Sequence, residues 1–102
     1  FMAAVRAADG PTAVFAANDQ MALGLISGLS DAGVAVPGDV SIVGVDDNPD
    51  AAFYRPPLTT VRLDVAGEAA RCIAQVLGES QPAASVDIAS PELIVRKSVR
   101  RV

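Results

Sequence analysis

Six residues, Val40-Ser41-Ile42-Val43-Gly44-Val45, form a short apolar run dominated by β-branched side chains. Pro37-Gly38-Asp39 precedes it and Asn48-Pro49-Asp50 follows, so turn signals bound it on both sides. A run of this length and type predicts a buried strand in a parallel sheet covered on both faces. Asp46 and Asp47 stand directly at its carboxyl end. Open α/β sheets bind ligands in the crevice beyond the carboxyl ends of their strands. Two acceptor groups are thus set where such a sheet would hold a ligand.

The flanking segments read as the other members of such a sheet. Phe1, Val5 and Ala8 share one helical face with no cap residue ahead of them, so a helix is expected whose start lies upstream. Asp9-Gly10-Pro11 ends it. Residues 12–17 predict a short buried strand, after which Asn18 or Asp19 caps a second helix running to about Ala32 and stopped by Gly33. Ala22, Leu25, Ile26, Leu29 and Gly33 make its core stripe, while Leu23 lies well round beside Ser27 and Ser30. Leu23 is therefore either scattered surface or part of a protein contact.

Residues 48–54 predict a loop with one helical turn, and Arg55-Pro56-Pro57 must run extended. Residues 58–63 alternate and predict a strand. Asp64 caps a third helix that ends near Leu77, with Gly78 as its C-cap. Val65, Ala69, Cys72, Ile73 and Val76 make its apolar face, so Cys72 is read as a core residue rather than a reactive thiol. A polar connection over 78–90 carries a brief strand around Val86-Asp87-Ile88. The last strand is expected over 93–99, and its shift from apolar to basic predicts an edge position. The order β-α-β-loop-β-α-β predicts an α/β fold with a mainly parallel sheet flanked by helices.

Composition narrows the function. A chain of 102 residues supports one small domain at most, and its 51% apolar content is enough for a core. The net charge of −4 argues against a grip on nucleic acid phosphates by this chain. Arg96, Lys97, Arg100 and Arg101 cluster near the end and read as a solvated strand end and tail. No apolar run approaches the roughly 20 residues that cross a bilayer, and no secretory signal opens the chain. A single cysteine excludes an internal disulfide and suits a reducing, cytoplasmic setting. The absence of histidine excludes Ser-His-Asp and Cys-His catalysis within the chain and a His/Cys zinc site.

Two polar pairs remain, Asn18-Asp19 after the first strand and Asp46-Asp47 after the second. If those strands are parallel neighbours, both pairs face one crevice. An amide plus carboxylates suits hydroxyl-rich or nucleoside-like ligands. One of Asn18 and Asp19 serves as a helix cap, and Asp47 and Asn48 are equally explained as turn residues. Asp46 is hardest to explain structurally, because it gains little from capping. The carboxylates also permit a Mg²⁺ site with waters, or a phosphoryl-accepting aspartate. Lys97 is the only lysine and no glycine-rich phosphate loop precedes a helix, so ligand binding ranks well above an enzyme. Nothing in the sequence asks for a cofactor.

Three motifs, FAANDQMALG at 15–24, the segment 40–60 with its Asp pair and PPLTT, and PELIVRKS at 91–98, resemble lactose-repressor-type (LacI family) transcription regulators. They occur in the family's order and span nearly the whole chain. The resemblance implies part of a two-lobed, periplasmic-binding-protein-like effector domain. It implies that 1–63 belong to the C-terminal lobe, 64–90 form a crossover helix and connection of the N-terminal lobe, and 91–102 return to the C-terminal lobe. It implies ligand contacts from Asn18 and Asp46 and a homodimer or higher homo-oligomer interface at Leu23, Phe53 and Tyr54. Effectors of the family are sugars or nucleoside-like metabolites, and operator DNA is read by a helix-turn-helix domain that precedes these residues. Some sugar-binding members carry an aromatic where this chain has Val65. The alternative implied by the shared fold is a solute-binding protein of a sugar transport system.

Overall fold

The structure, a computed structural model, describes residues 2–78 and 90–102. The expected strand around Val86 lies outside the described residues. In chain order the elements are α1 (Met2–Arg6), β1 (Ala13–Phe15), α2 (Asp19–Asp31), β2 (Ser41–Val45), a 3₁₀ turn (Ala51–Phe53), β3 (Thr59–Arg62), α3 (Val65–Val76) and β4 (Glu92–Ile94). Four strands make one sheet in the order β1-β2-β3-β4. β1–β2 and β2–β3 are parallel, and β4 is antiparallel and at the edge among the described residues, although the basic residues from which an edge is expected lie beyond its end.

β2 is the inner strand that the apolar run foretells. Ser41, Ile42 and Gly44 are buried and Val43 and Val45 half-buried. Ile42 packs with Ala22, Ile26 and Leu29 of α2, with Val34 and Val40, and with Leu58 ahead of β3. Each Val, Leu or Ile side chain among them contributes about 1.5–3 kcal/mol on burial. Gly33, at φ 74°, lets the chain turn off the end of α2 where any side chain would be strained.

The return strand is shorter than its sequence predicts, ending at Ile94 rather than near 99. Beyond it the chain runs past the amino ends of β3 and β2. Buried Ser98 holds it there, its hydroxyl donating to Ile42 O at 2.6 Å and accepting from Thr59 N at 2.8 Å. A small polar side chain that bonds two strands at once is favoured over continued ladder pairing.

α3 stands apart. Asp64 caps it, accepting from Gly67 N at 3.0 Å, but none of its 12 residues is buried. The radius of gyration is 17.7 Å, against about 13 Å for a compact chain of this length, and the longest dimension is 56 Å. Cys72 is accordingly exposed rather than a core residue. The helical periodicity is right, but nothing among the described residues covers the face. A largely apolar hollow of about 460 Å³, lined by Leu63, Val65, Ala69, Cys72 and Pro91 together with Asp64, Glu68 and Arg71, runs along it.

Candidate functional site

Parallel pairing of Phe15 with Val43 carries the chain ends that follow, Asn18 and Asp46, to the same edge of the sheet. Asn18 is the residue that caps α2. Its Oδ1 accepts from Met21 N at 2.8 Å, a bond worth about 1 kcal/mol. Its Nδ2 donates to no group among the described residues, so it is available to a ligand.

The neighbouring Asp19 has a different task, which its sequence position alone does not reveal. It is fully buried, and its two oxygens accept from the Thr60 hydroxyl at 2.5 Å and from Asn48 N at 2.7 Å. It thereby ties the start of α2 to β3 and to the turn after β2. Gly44 makes room for it. A Cβ there would collide with Asp19 Oδ1 and lie 2.9 Å from Leu58 Cδ2. A glycine inside a strand signals such a close approach, and this was the legible clue.

The turn itself is sharp. Asp46 and Asp47 both have positive φ, 118° and 53°. Asp tolerates the left-handed region better than most residues, yet such conformations cost about 1–3 kcal/mol each and need external support. Support comes from Asp46 N donating to Val61 O at 2.9 Å, Asp47 N to the Thr60 hydroxyl at 3.4 Å, and Asn48 N to Asp19.

The two carboxylates of the pair have opposite surroundings. Asp46 is exposed, and its carboxylate has no hydrogen bond or ion pair among the described residues. Asp47 Oδ1 accepts from Arg96 Nη2 at 2.7 Å, and its Oδ2 accepts from Arg62 Nε at 2.8 Å. Burial pushes the Asp47 carboxyl up, but the hydrogen bonds and charges of Arg96 and Arg62 outweigh it and hold the group below its ordinary 3.8. Arg62 is half exposed, so its share is about 0–1 kcal/mol. Arg96 is better shielded and also donates from Nη1 to Leu58 O at 2.8 Å. It is therefore not part of a solvated tail, as the basic run suggests, but half-buried and turned onto Leu58 O and Asp47.

With Asp47 engaged by two guanidinium groups, the Asp pair is a poor metal site. Among the described residues no three acidic or thiol side chains converge on a point that would hold a metal ion. Nor is any described helix long and apolar enough to cross a membrane.

Of the residues expected at a subunit interface, Leu23 (40% exposed) and Phe53 (77%) present their side chains outward. Tyr54, 6% exposed, belongs to the core of this chain. Its hydroxyl donates to Asp50 Oδ1 at 3.4 Å. Burial, then the Asp50 and Asp19 charges, raise its phenol above 10.0. The turn at 51–53 points Phe53 out and Tyr54 in, which residue type alone does not decide.

Residues 2–99 match the model of the periplasmic-binding-protein-like domain. The chain is 42% identical over 93 residues to the HTH-type transcriptional repressor PurR of Pasteurella multocida, covering 88% of this chain and 28% of that protein. It is 48% identical over 90 residues to the HTH-type transcriptional regulator MalR of Streptomyces coelicolor, covering 85% and 26%. The chain thus spans less than a third of the curated relatives' length. Among solved structures, a LacI family transcriptional regulator from Lactobacillus casei with bound sucrose superposes with TM-score 0.74 at 37% identity, over 87% of this chain and 34% of that one. The lac repressor dimer bound to operator and an anti-inducer superposes with TM-score 0.70 at 35% identity, over 87% and 32%. The sheet order, the motifs and these likenesses agree: the chain belongs to the periplasmic-binding-protein-like domain family and is similar to the matching portion of LacI-type regulators.

Proposed function

We propose that this chain is the effector-sensing and dimerisation portion of a cytoplasmic, DNA-binding transcription regulator, acting as a repressor and responding to a sugar or related small metabolite. Its chemistry is recognition rather than catalysis. Asn18 Nδ2 donates to the effector and the Asp46 carboxylate accepts from its hydroxyl or N–H groups. The observation that carries this reading is the parallel β1–β2 register, with the Asn18 amide nitrogen and the Asp46 carboxylate, both without a partner among the described residues, beyond the same sheet edge.

Residues 64–90 are proposed to belong to a second lobe, for which the uncovered α3 is the support. Effector bound between lobes would shift their relative orientation and so the spacing of DNA-reading heads outside this chain. Only a difference in effector affinity between the two orientations can do this. Leu23 and Phe53 are proposed as the self-association surface, which their exposure suits.

The test is calorimetric titration of sugars and nucleobases against the full-length protein and two variants. Asp46→Ala removes the acceptor. Asn18→Asp keeps a capping oxygen but removes the donor. Hydrogen bonds to a charged group are worth about 1.5–3 kcal/mol, so Asp46→Ala should weaken effector binding about 10- to 100-fold. Unchanged affinity in both variants would reject the site.

A further inference from the structure

Asp47 and Arg96 are not needed by the contacts proposed above, yet they are the most firmly engaged charged pair at this edge. Both Asp47 oxygens are occupied, one by Arg96 and one by Arg62, so this carboxylate has little left to offer an effector. Arg96 is fixed at three points: its backbone N donates to the Thr59 hydroxyl at 2.8 Å, Nη1 to Leu58 O and Nη2 to Asp47. Thr59 and Leu58 lie at the start of β3, whereas Asp47 lies beyond the end of β2. The guanidinium therefore spans from the base of one strand to the turn above the next.

We infer that Asp47 and Arg96 are positioning residues: together they hold the turn at 46–48 in its left-handed backbone and so keep the Asp46 carboxylate pointed outward. The inference rests on the proposed role of Asp46. Two consecutive non-glycine residues at positive φ relax unless something holds them. Each backbone N–H of 46–48 donates a single bond here, the one at Asp47 N being long at 3.4 Å. The part-buried guanidinium–carboxylate contact adds to these, and it ties an effector-facing turn to the segment that returns from α3. Arg62 alone is too exposed to do this, with its other contact a 3.6 Å approach to exposed Glu92.

The test needs no effector, so it fails or succeeds independently of the site assignment. Amide hydrogen exchange is followed in the full-length protein and in Asp47→Asn, Arg96→Gln, Arg96→Lys and Glu92→Gln. Asp47→Asn is nearly isosteric, and keeps the test decisive should Arg96→Gln fold poorly. Exchange at residues 46–48 is expected to rise about tenfold or more in Asp47→Asn and Arg96→Gln, while 41–45 of β2 keep their protection. Arg96→Lys, which keeps the charge but not the fork, should fall between these and wild type. Glu92→Gln should leave the turn unchanged. Unaltered exchange at 46–48 in both Asp47→Asn and Arg96→Gln overturns the inference. So does an equal loss of protection across β2, which would make the pair a general support of the sheet.

Discussion

Replacing Asp19 by Asn and by Ala tests whether one buried carboxylate joins the start of α2 to the ligand-side edge. The side chain is fully buried and accepts two hydrogen bonds, from the Thr60 hydroxyl and Asn48 N. Asn preserves the shape, and Thr60 can turn its hydroxyl to accept from the new amide. What is lost is charge assistance, about 1 kcal/mol per bond, hence about 1–2 kcal/mol. Ala strands both donors, at about 1–3 kcal/mol each, and leaves a gap against Gly44, so about 2–6 kcal/mol is expected. That is a large share of a typical stability of about 5–15 kcal/mol. Urea denaturation of the full-length protein reads this as a lower midpoint at unchanged slope. An Ala variant within about 0.5 kcal/mol of wild type would refute the reasoning. So would an Asn variant as damaged as Ala, since acceptor geometry would then count for nothing.

Two further predictions concern pH and association. Asp47 has a folded pKa below its ordinary 3.8, so the stability it contributes is fully present above that value and is lost as pH falls through the folded pKa. The stability gap between wild type and Asp47→Asn should therefore hold steady from pH 7 to about 5 and shrink below about 4; a gap that widens on acidification contradicts the ion cluster. The 102-residue chain by itself should self-associate through α3, where Val65, Ile73, Val76 and Leu77 are exposed. Sedimentation should show this, with Ile73→Glu plus Val76→Glu restoring the monomer; a monomeric parent chain at high concentration refutes it.

Much of the framework is legible because its signals are local. Turn residues bound β2, Asn18 and Asp64 cap helices through side chains three residues from their partners, and Gly33 and Gly78 stop those helices at positive φ. What the residues hide depends on partners far along the chain. Arg96 looks like part of a basic tail until Asp47, 49 positions away, is seen beside it. Asp19 looks like a spare cap until Thr60 and Asn48 arrive from 41 and 29 positions away. Cys72 sits on the apolar face that periodicity predicts, but periodicity does not say what covers that face. Tyr54 and Phe53 are adjacent aromatics whose fates diverge only through the geometry of a single 3₁₀ turn.

The most direct measurement is a crystal structure of the full-length protein grown with an effector found by titration. Density for that molecule within hydrogen-bond reach of Asn18 Nδ2 and the Asp46 carboxylate, with Asp47 still held by Arg96, is the predicted result. An effector seated elsewhere, leaving Asn18 and Asp46 in water, would contradict the account.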